Sequence, residues 1–407
     1  MKYIVLVGDG MTGRPIKKIG GKTCLQKART PNMDKIADEG EIGILNSIPK
    51  GFQPGSDVAN LSIFGYDPSK YFSGRAPIEA AYRGIKLSQG DTAFRCNLVN
   101  LKTPGSGFSG SAAMNDYSAG HISTAEAGKL INFLNKELGD KNISFFPGMS
   151  YRHLMVWKRG IHTMKCTPPH DITGKRIMNY LPSGAGSSTL RNLMKKSSEL
   201  LMQHPVNKNR IKRGLLPANS VWFWGQGRKL SLPKFREKYK LNGAVISAVD
   251  LIKGLGISAG FMEIPVKGAT GYLDTNYEGK AKAALKALKT VDIVYLHVEA
   301  PDEAGHSGDI RAKIRAIEDF DSKIVGTIMK GIKKFNKYSI LLLPDHATPI
   351  SVRSHTADPI PFAIYRSSVP VRIGAKRRYY SESICRMRNV RNFKKGHELM
   401  DYFVRGG

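Results

Sequence analysis

Residues 341–358, Leu-Leu-Leu-Pro-Asp-His-Ala-Thr-Pro-Ile-Ser-Val-Arg-Ser-His-Thr-Ala-Asp, constrain the fold more than any other stretch. Tyr338 to Leu343 is almost continuously apolar, as a strand buried on both faces must be, so the pattern predicts Asp345 and His346 at its carboxyl end. Open α/β sheets keep their binding crevices at that edge. Asp345, His346 and His355 supply one carboxylate and two imidazoles, a set that suits Mn, Zn or Fe better than Mg or Ca. Taken alone, the segment reads equally as a surface loop with satisfied histidines.

A second stretch tips that balance. Val291 to Glu299 is another mostly apolar run, and it leads into Ala300-Pro301-Asp302-Glu303-Ala304-Gly305-His306. Asp302 and His306 stand four apart, so a helical turn places them on one face, able to share an ion. Two strands then bring carboxylate and imidazole to one edge. This predicts a binuclear metal site, an arrangement that stabilises the attacking and leaving oxygens of phosphoryl transfer.

The first strand, Lys2 to Val7, ends in Gly8-Asp9-Gly10 and repeats the pattern, with glycines that let the backbone turn sharply. Alone, Asp9 reads as a turn residue. Pro54-Gly55-Ser56-Asp57 opens a predicted helix with Ser56 near its N-terminus, where unpaired N–H groups can hold a phosphate. A serine there is a cap or a nucleophile, and a nearby metal favours the nucleophile. Thr30 to Gly40 spells a structural helix with Thr30 as N-cap, Pro31 at the first helical position and Gly40 at its end.

Composition bounds the rest. A chain of 407 residues, 41% apolar and 24% charged, can bury a large core and is expected to form two or three domains. The apolar run at the start is too short for a signal peptide, and no stretch approaches a membrane span. Cys24, Cys96, Cys166 and Cys385 show no paired spacing, which fits reduced thiols in a cytoplasm. The formal charge of +30 is spread along the chain, through Lys208 to Arg213 and Arg372 to Lys395 alike, without a nucleic-acid-binding motif. It reads as a solvated basic surface with non-specific attraction for polyanions. The sequence sets no oligomeric state.

Between residues 89 and 242 the character changes, and the metal-type residues all fall outside this stretch. Gly105 to Ser111 and Ser183 to Ser188 read as loops; neither has the lysine or spacing of a P-loop. Thr124 to Leu138 is an amphipathic helix with Ala127, Leu130, Ile131, Leu134 and Leu138 on one stripe, and Tyr151 to Trp157 is strand-like. Arg75, Arg95, Arg152 and His153 are candidates for binding a carboxylate or phosphate. His170 and Asp171, after two prolines, are candidates for acid/base work. Trp222, Trp224 and Gln226 read as packing or orienting residues. From Gly243 strands and helices alternate again; Glu278 to Lys289 and Ile310 to Ile332 read as covering helices with solvated charged faces, and Pro361 to Tyr365 as a strand.

Asp9, Ser56, Asp302, His306, Asp345, His346 and His355, in this order, resemble the metal and nucleophile set of the alkaline phosphatase superfamily. Within it the chain is similar to the cofactor-independent phosphoglycerate mutases of the archaeal type. The resemblance runs through Thr30 to Gly40, GSDVANLSIFGYDP (55–68), GRAPIEAAYRG (74–84), CTPPHDITGK (166–175), VWFWGQG (221–227), GAVISAVDLIKGLG (243–256), GATGYLDTNYEG (268–279) and Val298 to Gly308, and is weak after Arg366. It implies an α/β, alkaline-phosphatase-like core with a mostly parallel sheet flanked by helices (residues 1–88 and 243–407), and an inserted α+β domain (89–242) that clamps substrate. It also implies that Asp302, His306 and His355 hold one ion, while Asp9, Asp345, His346 and Ser56 surround the other. Mn is favoured, with Zn, Co or Mg as alternatives.

The expected activity is interconversion of 3- and 2-phosphoglycerate through a phosphoserine on Ser56, without 2,3-bisphosphoglycerate. The alternatives are another phosphomonoesterase or phosphomutase of the same superfamily, and a polyanion-binding protein that kept the fold without activity.

Overall fold

In the computed structural model, which describes residues 1–102, 108, 111–370 and 377–406, the apolar runs become strands. Strands β1 (Lys2–Gly8) and β2 (Glu41–Leu45) come first. They are followed by β3 (Thr92–Lys102), β4 (Ala113–Asp116), β5 (Ile143–Phe146), β6 (Arg152–Trp157) and β7 (Ser220–Arg228). The series closes with β8 (Gly243–Ile246), β9 (Met262–Glu263), β10 (Ile293–Val298), β11 (Tyr338–Leu343), β12 (Ile360–Arg366) and β13 (Arg391–Phe393). Two units divide them: Met1–Phe72 with Ser231–Gly407, and Ser73–Leu230.

The first unit holds one sheet in the order β13-β2-β12-β11-β1-β10-β8-β9. It is mostly parallel, as expected; β12 runs antiparallel to both neighbours. Its three central strands, β11, β1 and β10, are parallel and almost wholly buried, because helices cover both faces. Leu6 pairs with both Leu296 and Leu342, and Val7 with both His297 and Leu343, so the three strands end level. On one face Ile4, Leu6, Leu296 and Leu342 pack on the helices Pro31–Glu39 and Tyr277–Ala287. On the other, Tyr295 stacks on Phe64, ring centroids 4.0 Å apart, and Phe64 meets Phe261 edge-on. That contact seats the helix Ser56–Ile63 over the sheet.

Several local expectations change in detail. Thr30 precedes the helix Pro31–Glu39 without capping it through its side chain; Asp321, one-hundredth exposed, accepts from the N–H groups of Asn32 and Met33 instead. Gly40 is extended, and a Cβ there would stand 2.3 Å from the Ile364 carbonyl oxygen, so close approach of β12 rather than a left-handed turn requires the glycine. Ile310 to Ile332 is broken by a π-helical stretch at Phe320–Val325. The charged faces of the covering helices are not all solvated: Lys280, Lys313 and Asp321 are buried, because these helices are packed on more than one side.

The second unit is α+β. Its sheet has the order β4-β3-β6-β5, with β7 also paired to β3, and all its pairings are antiparallel. The helix Thr124–Leu138 forms as predicted, with Ala127, Leu130, Ile131 and Leu134 buried, and Leu138 is partly buried against the same cluster. The unit begins at Ser73 rather than near residue 89, and ends at Leu230 rather than 242. The reason is packing: Ala76 and Ala80 of the helix Ala76–Tyr82 form a core with Ala93 and Leu154. Ser187 and Ser188, expected in a loop, open the helix Ser187–Gln203, and the rest of 183–188 is loop as expected. Most of the 105–111 stretch, and 371–376 of the basic tail, lie outside the described residues. Among the described residues no helix is long and apolar enough to cross a membrane.

Candidate active site

Because β1, β10 and β11 end level, whatever follows them meets at one edge. Asp9 follows β1, Asp345 and His346 follow β11, and the helix Ala300–Ser307 after β10 presents Asp302 and His306 one turn apart. His355 returns on the segment before β12. His306 Nε2 lies 3.1 Å from Asp302 Oδ2 and 2.9 Å from His355 Nε2, and His355 Nε2 lies 3.6 Å from the same carboxylate oxygen. His346 Nε2 lies 3.5 Å from Asp9 Oδ1, 3.5 Å from Asp345 Oδ2 and 3.0 Å from Ser56 Oγ. Donor atoms bound at about 2.1 Å to one ion stand roughly 3 to 3.5 Å apart, so both sets have the spacing of a ligand shell. His346 also comes within 4.8 Å of donor atoms on Asp302 and His355, which makes it the neighbour common to both sets.

The electrostatics point the same way. Asp9, Asp302 and Asp345 are all buried. Burial, followed by the charge of Asp345, pushes the Asp9 carboxyl well above the usual carboxylate range, and among the described residues its Oδ1 has no hydrogen-bond partner. Burial also opposes ionisation of Asp302, but His306 and His355 outweigh it and hold that carboxyl well below its usual range. His297, on β10, sits 3.2 Å from Asp9 Oδ2, and burial pushes it down to about 4, so it is neutral. An excess of buried carboxylate with an unpartnered oxygen, ringed by imidazoles, is a donor set that fits divalent cations.

A further ring of side chains holds the donors in place. His306 Nδ1 donates to the Arg353 carbonyl at 3.0 Å, which aims Nε2 inward. Asn60, one turn after Ser56, donates to Asp345 Oδ2 at 2.7 Å and to the Ser56 carbonyl at 2.8 Å, and accepts from the Tyr295 hydroxyl at 2.6 Å. Thr348 donates its hydroxyl to Asp302 Oδ1. Gly10 has φ of 57°, and a Cβ on it would stand 2.4 Å from Asp302 Oδ1, so only glycine serves beside Asp9. Ser56 is the first helical residue and caps nothing with its hydroxyl; Gly55 takes the N-cap place.

In the second unit a different cluster forms. Glu79 is bracketed by Arg75 Nε and Arg95 Nε, each 3.2 Å from one of its oxygens. Burial opposes ionisation of Glu79, but Arg95 and Arg75 outweigh it and lower its pKa; burial pushes Arg95 down to about 10. The Arg95 guanidinium lies 4.2 Å from the centre of the Trp224 ring, and the same ring meets His170 edge-on at 5.2 Å. His170 Nε2 is 3.6 Å from Asp171 Oδ1, both side chains about half exposed. Arg152 sits exposed beside Tyr151 and adds its positive field to Arg95 and Glu79. Arg75, Arg95, Arg152 and His170 therefore share one neighbourhood. His153 lacks the exposure of its neighbour Arg152: it is buried, it accepts from the Gly148 N–H at 2.8 Å through Nδ1, and burial pushes it down to about 3. The structure therefore places His153, expected to touch substrate, in the core with a backbone partner. Trp222 and Gln226 bond the carbonyls of Thr167 and Met164, as orienting residues do.

A sequence profile of 2,3-bisphosphoglycerate-independent phosphoglycerate mutase matches residues 37–207. A relative of that name from Methanosarcina barkeri is 56% identical over 369 residues, covering 90% of this chain and 91% of its own. The chain belongs to this mutase family. Another member, from Archaeoglobus fulgidus, is 37% identical and covers 96% of each chain. Among solved structures, a protein from Pyrococcus horikoshii superposes with a TM-score of 0.80 at 30% identity, covering 99% of this chain and 96% of its own. The cofactor-independent phosphoglycerate mutase of Thermoplasma acidophilum shares the fold, with a TM-score of 0.65 at 24% identity over 100% of this chain and 99% of its own. Membership in the mutase family places the chain among enzymes and leaves the binding-protein alternative without support.

Sequence reasoning passed over Asn60, Glu79, His297, Lys313 and Thr348. Asn60 and His297 carried a signal: Asn60 is four residues after Ser56 on a predicted helix, and His297 is the one imidazole in the apolar run of β10. The other three look like ordinary surface residues until the tertiary fold buries or aims them.

Proposed function

We propose that this member of the mutase family interconverts 3-phosphoglycerate and 2-phosphoglycerate through a phosphoserine on Ser56, with two divalent cations and without 2,3-bisphosphoglycerate. The observation that carries the reading is the seating of Ser56 Oγ, at a helix N-terminus, 3.0 Å from His346 Nε2 inside a ring of buried carboxylates and imidazoles. Asp302, His306 and His355 would hold one ion, and Asp9, Asp345, His346 and Ser56 the other; Mn is favoured, with Zn, Co or Mg as alternatives. Bound there, the cations would favour the serine alkoxide and neutralise charge on the transferring phosphoryl oxygens.

Ser56 Oγ attacks phosphorus in line, the bond from phosphorus to the substrate hydroxyl oxygen breaks, and phospho-Ser56 remains with glycerate. Glycerate turns, its other hydroxyl oxygen attacks the same phosphorus, and Ser56 is released. A proton must reach the first hydroxyl and leave the second; His170 and Asp171 are assigned that task. Arg75, Arg95 and Arg152 are assigned the substrate's carboxylate and phosphate, and a mutase must also keep water from phospho-Ser56. The superfamily alternative, a phosphomonoesterase, differs in letting glycerate go.

The test is turnover of 3-phosphoglycerate by purified protein with no bisphosphate, before and after chelation and Mn restoration, beside Ser56→Ala. Isomerisation lost on chelation, restored by Mn and absent in the variant supports the reading. Release of inorganic phosphate without isomerisation replaces it with the phosphatase.

A further inference from the structure

Lys313 belongs to the charged helix Ile310–Asp319 yet is only 1% exposed. Its ammonium donates to three backbone carbonyls: Gly10 at 2.7 Å, Thr348 at 2.6 Å and Thr12 at 3.3 Å. All three of its donors are therefore used, and all on carbonyl oxygens. A buried ammonium is costly to desolvate, so its retention here calls for a reason.

The three carbonyls sit on the two segments that carry the site. Gly10 and Thr12 follow Asp9, and Thr348 follows Asp345 and His346. Each segment then braces the other: the Gly10 N–H donates to Asp345 Oδ1 at 3.1 Å, and the Thr348 N–H donates to the Thr12 carbonyl at 3.1 Å. Thr348 also extends its hydroxyl to Asp302 on the third element. That element passes close by at Gly305, where a Cβ would stand 2.8 Å from the Thr348 carbonyl oxygen and 3.2 Å from Lys313 Nζ. One ammonium thus ties the carboxyl ends of β1 and β11 together, and through Thr348 it reaches the helix after β10.

We infer that Lys313 is a positioning residue: it fixes the segments bearing Asp9, Asp345 and Asp302 in their metal-binding arrangement before any cation arrives. Its positive charge also acts on Asp302 and Asp9, so it offsets part of their mutual repulsion in the metal-free protein. The inference rests on the metal reading of the site. On this account Lys313 governs cation affinity, while the chemical step at saturating cation depends on it little.

Calorimetric titration of Mn2+ into metal-free protein tests this directly. Lys313→Met should weaken Mn binding by about tenfold or more, the range seen when side chains supporting metal ligands are removed. Its kcat at saturating Mn should stay within about threefold of wild type. A second variant, Thr348→Val, leaves Lys313 in place and removes only the link to Asp302; it too should weaken Mn binding, by at least about threefold, and it carries the test if the lysine variant does not fold. Mn affinity unchanged in folded Lys313→Met, with only a lower melting temperature, would show a structural role and overturn the inference, as would unchanged affinity in Thr348→Val where that variant alone is soluble. Wild-type protein that takes up no Mn would remove the metal reading and this inference together.

Discussion

The cluster around Asp9 and the cluster around Glu79 are both buried and both ionic, and they are built with opposite signs. The first gathers three carboxylates with imidazoles, and among the described residues it leaves an oxygen of Asp9 unpartnered, on a carboxyl that burial and Asp345 push well above its usual range. The second gathers guanidinium groups around a single carboxylate, with Arg75 and Arg95 3.2 Å from Glu79 and Arg152 adding to the same field. One has negative charge to spare and the other positive. The sign of the surplus indicates what completes each: cations for the first, an anionic substrate for the second. The two also differ in how they would fail, because removing a charge relieves the first cluster and exposes the second.

The largest effect separates chemistry from binding within the first cluster. Ser56→Ala should cut isomerisation by roughly 10^4-fold or more, as loss of a nucleophile does, while Mn uptake measured by calorimetry persists. Substantial turnover in that variant would move the chemistry away from this cluster.

Next comes the keystone of the second. Glu79→Gln leaves Arg95 buried without its counter-charge and should cost about 3 kcal/mol in denaturant unfolding. The pH dependence follows with a definite sign. The Arg95 and Arg75 charges place the Glu79 pKa in the folded state below its unfolded value, so its contribution to stability is present above that unfolded value and is lost as pH falls through the folded one. Wild type should therefore lose stability more steeply than the variant on acidification below about pH 4.3, and parallel acid limbs would contradict the arrangement.

The contrast sharpens with Asp9→Asn. In metal-free protein at neutral pH this change removes a carboxyl whose ionisation burial and Asp345 oppose, so it should stabilise the fold by about 2 kcal/mol while abolishing tight Mn binding. Opposite signs for Asp9→Asn and Glu79→Gln are the signature of the two clusters. The smallest effect is expected for Trp224→Phe, which keeps a ring under Arg95 but gives up the better cation–π partner and the bond from Nε1 to Asn97; about 1 kcal/mol of stability and a modest rise in KM should result.

The same contrast governs what the sequence made legible. The first cluster stands on strand ends, and a strand end followed by an acid can be read from hydrophobic patterning alone; Asp9, Asp302 and Asp345 all lie at predicted strand ends. The second cluster depends on which helix packs against which strand. Nothing local places Glu79 beside Arg95, and nothing in the alternation of Tyr151 to Trp157 shows that His153 points inward while Arg152 points out. The same blindness explains the unit boundary, set by Ala76 and Ala80 packing on Ala93, and explains Lys280, Lys313 and Asp321, which sit on faces that look solvated until a second partner covers them.

The central claim is that the phosphoryl group rests on Ser56 between leaving one hydroxyl and joining the other. Mass spectrometry of Mn-loaded protein, quenched in acid during turnover of 3-phosphoglycerate and digested, measures this directly. The account predicts a phosphorylated peptide containing Ser56, present with Mn, lost on chelation and absent from Ser56→Ala. Full isomerisation with no phosphate on that peptide, or phosphate on a different residue, would contradict it.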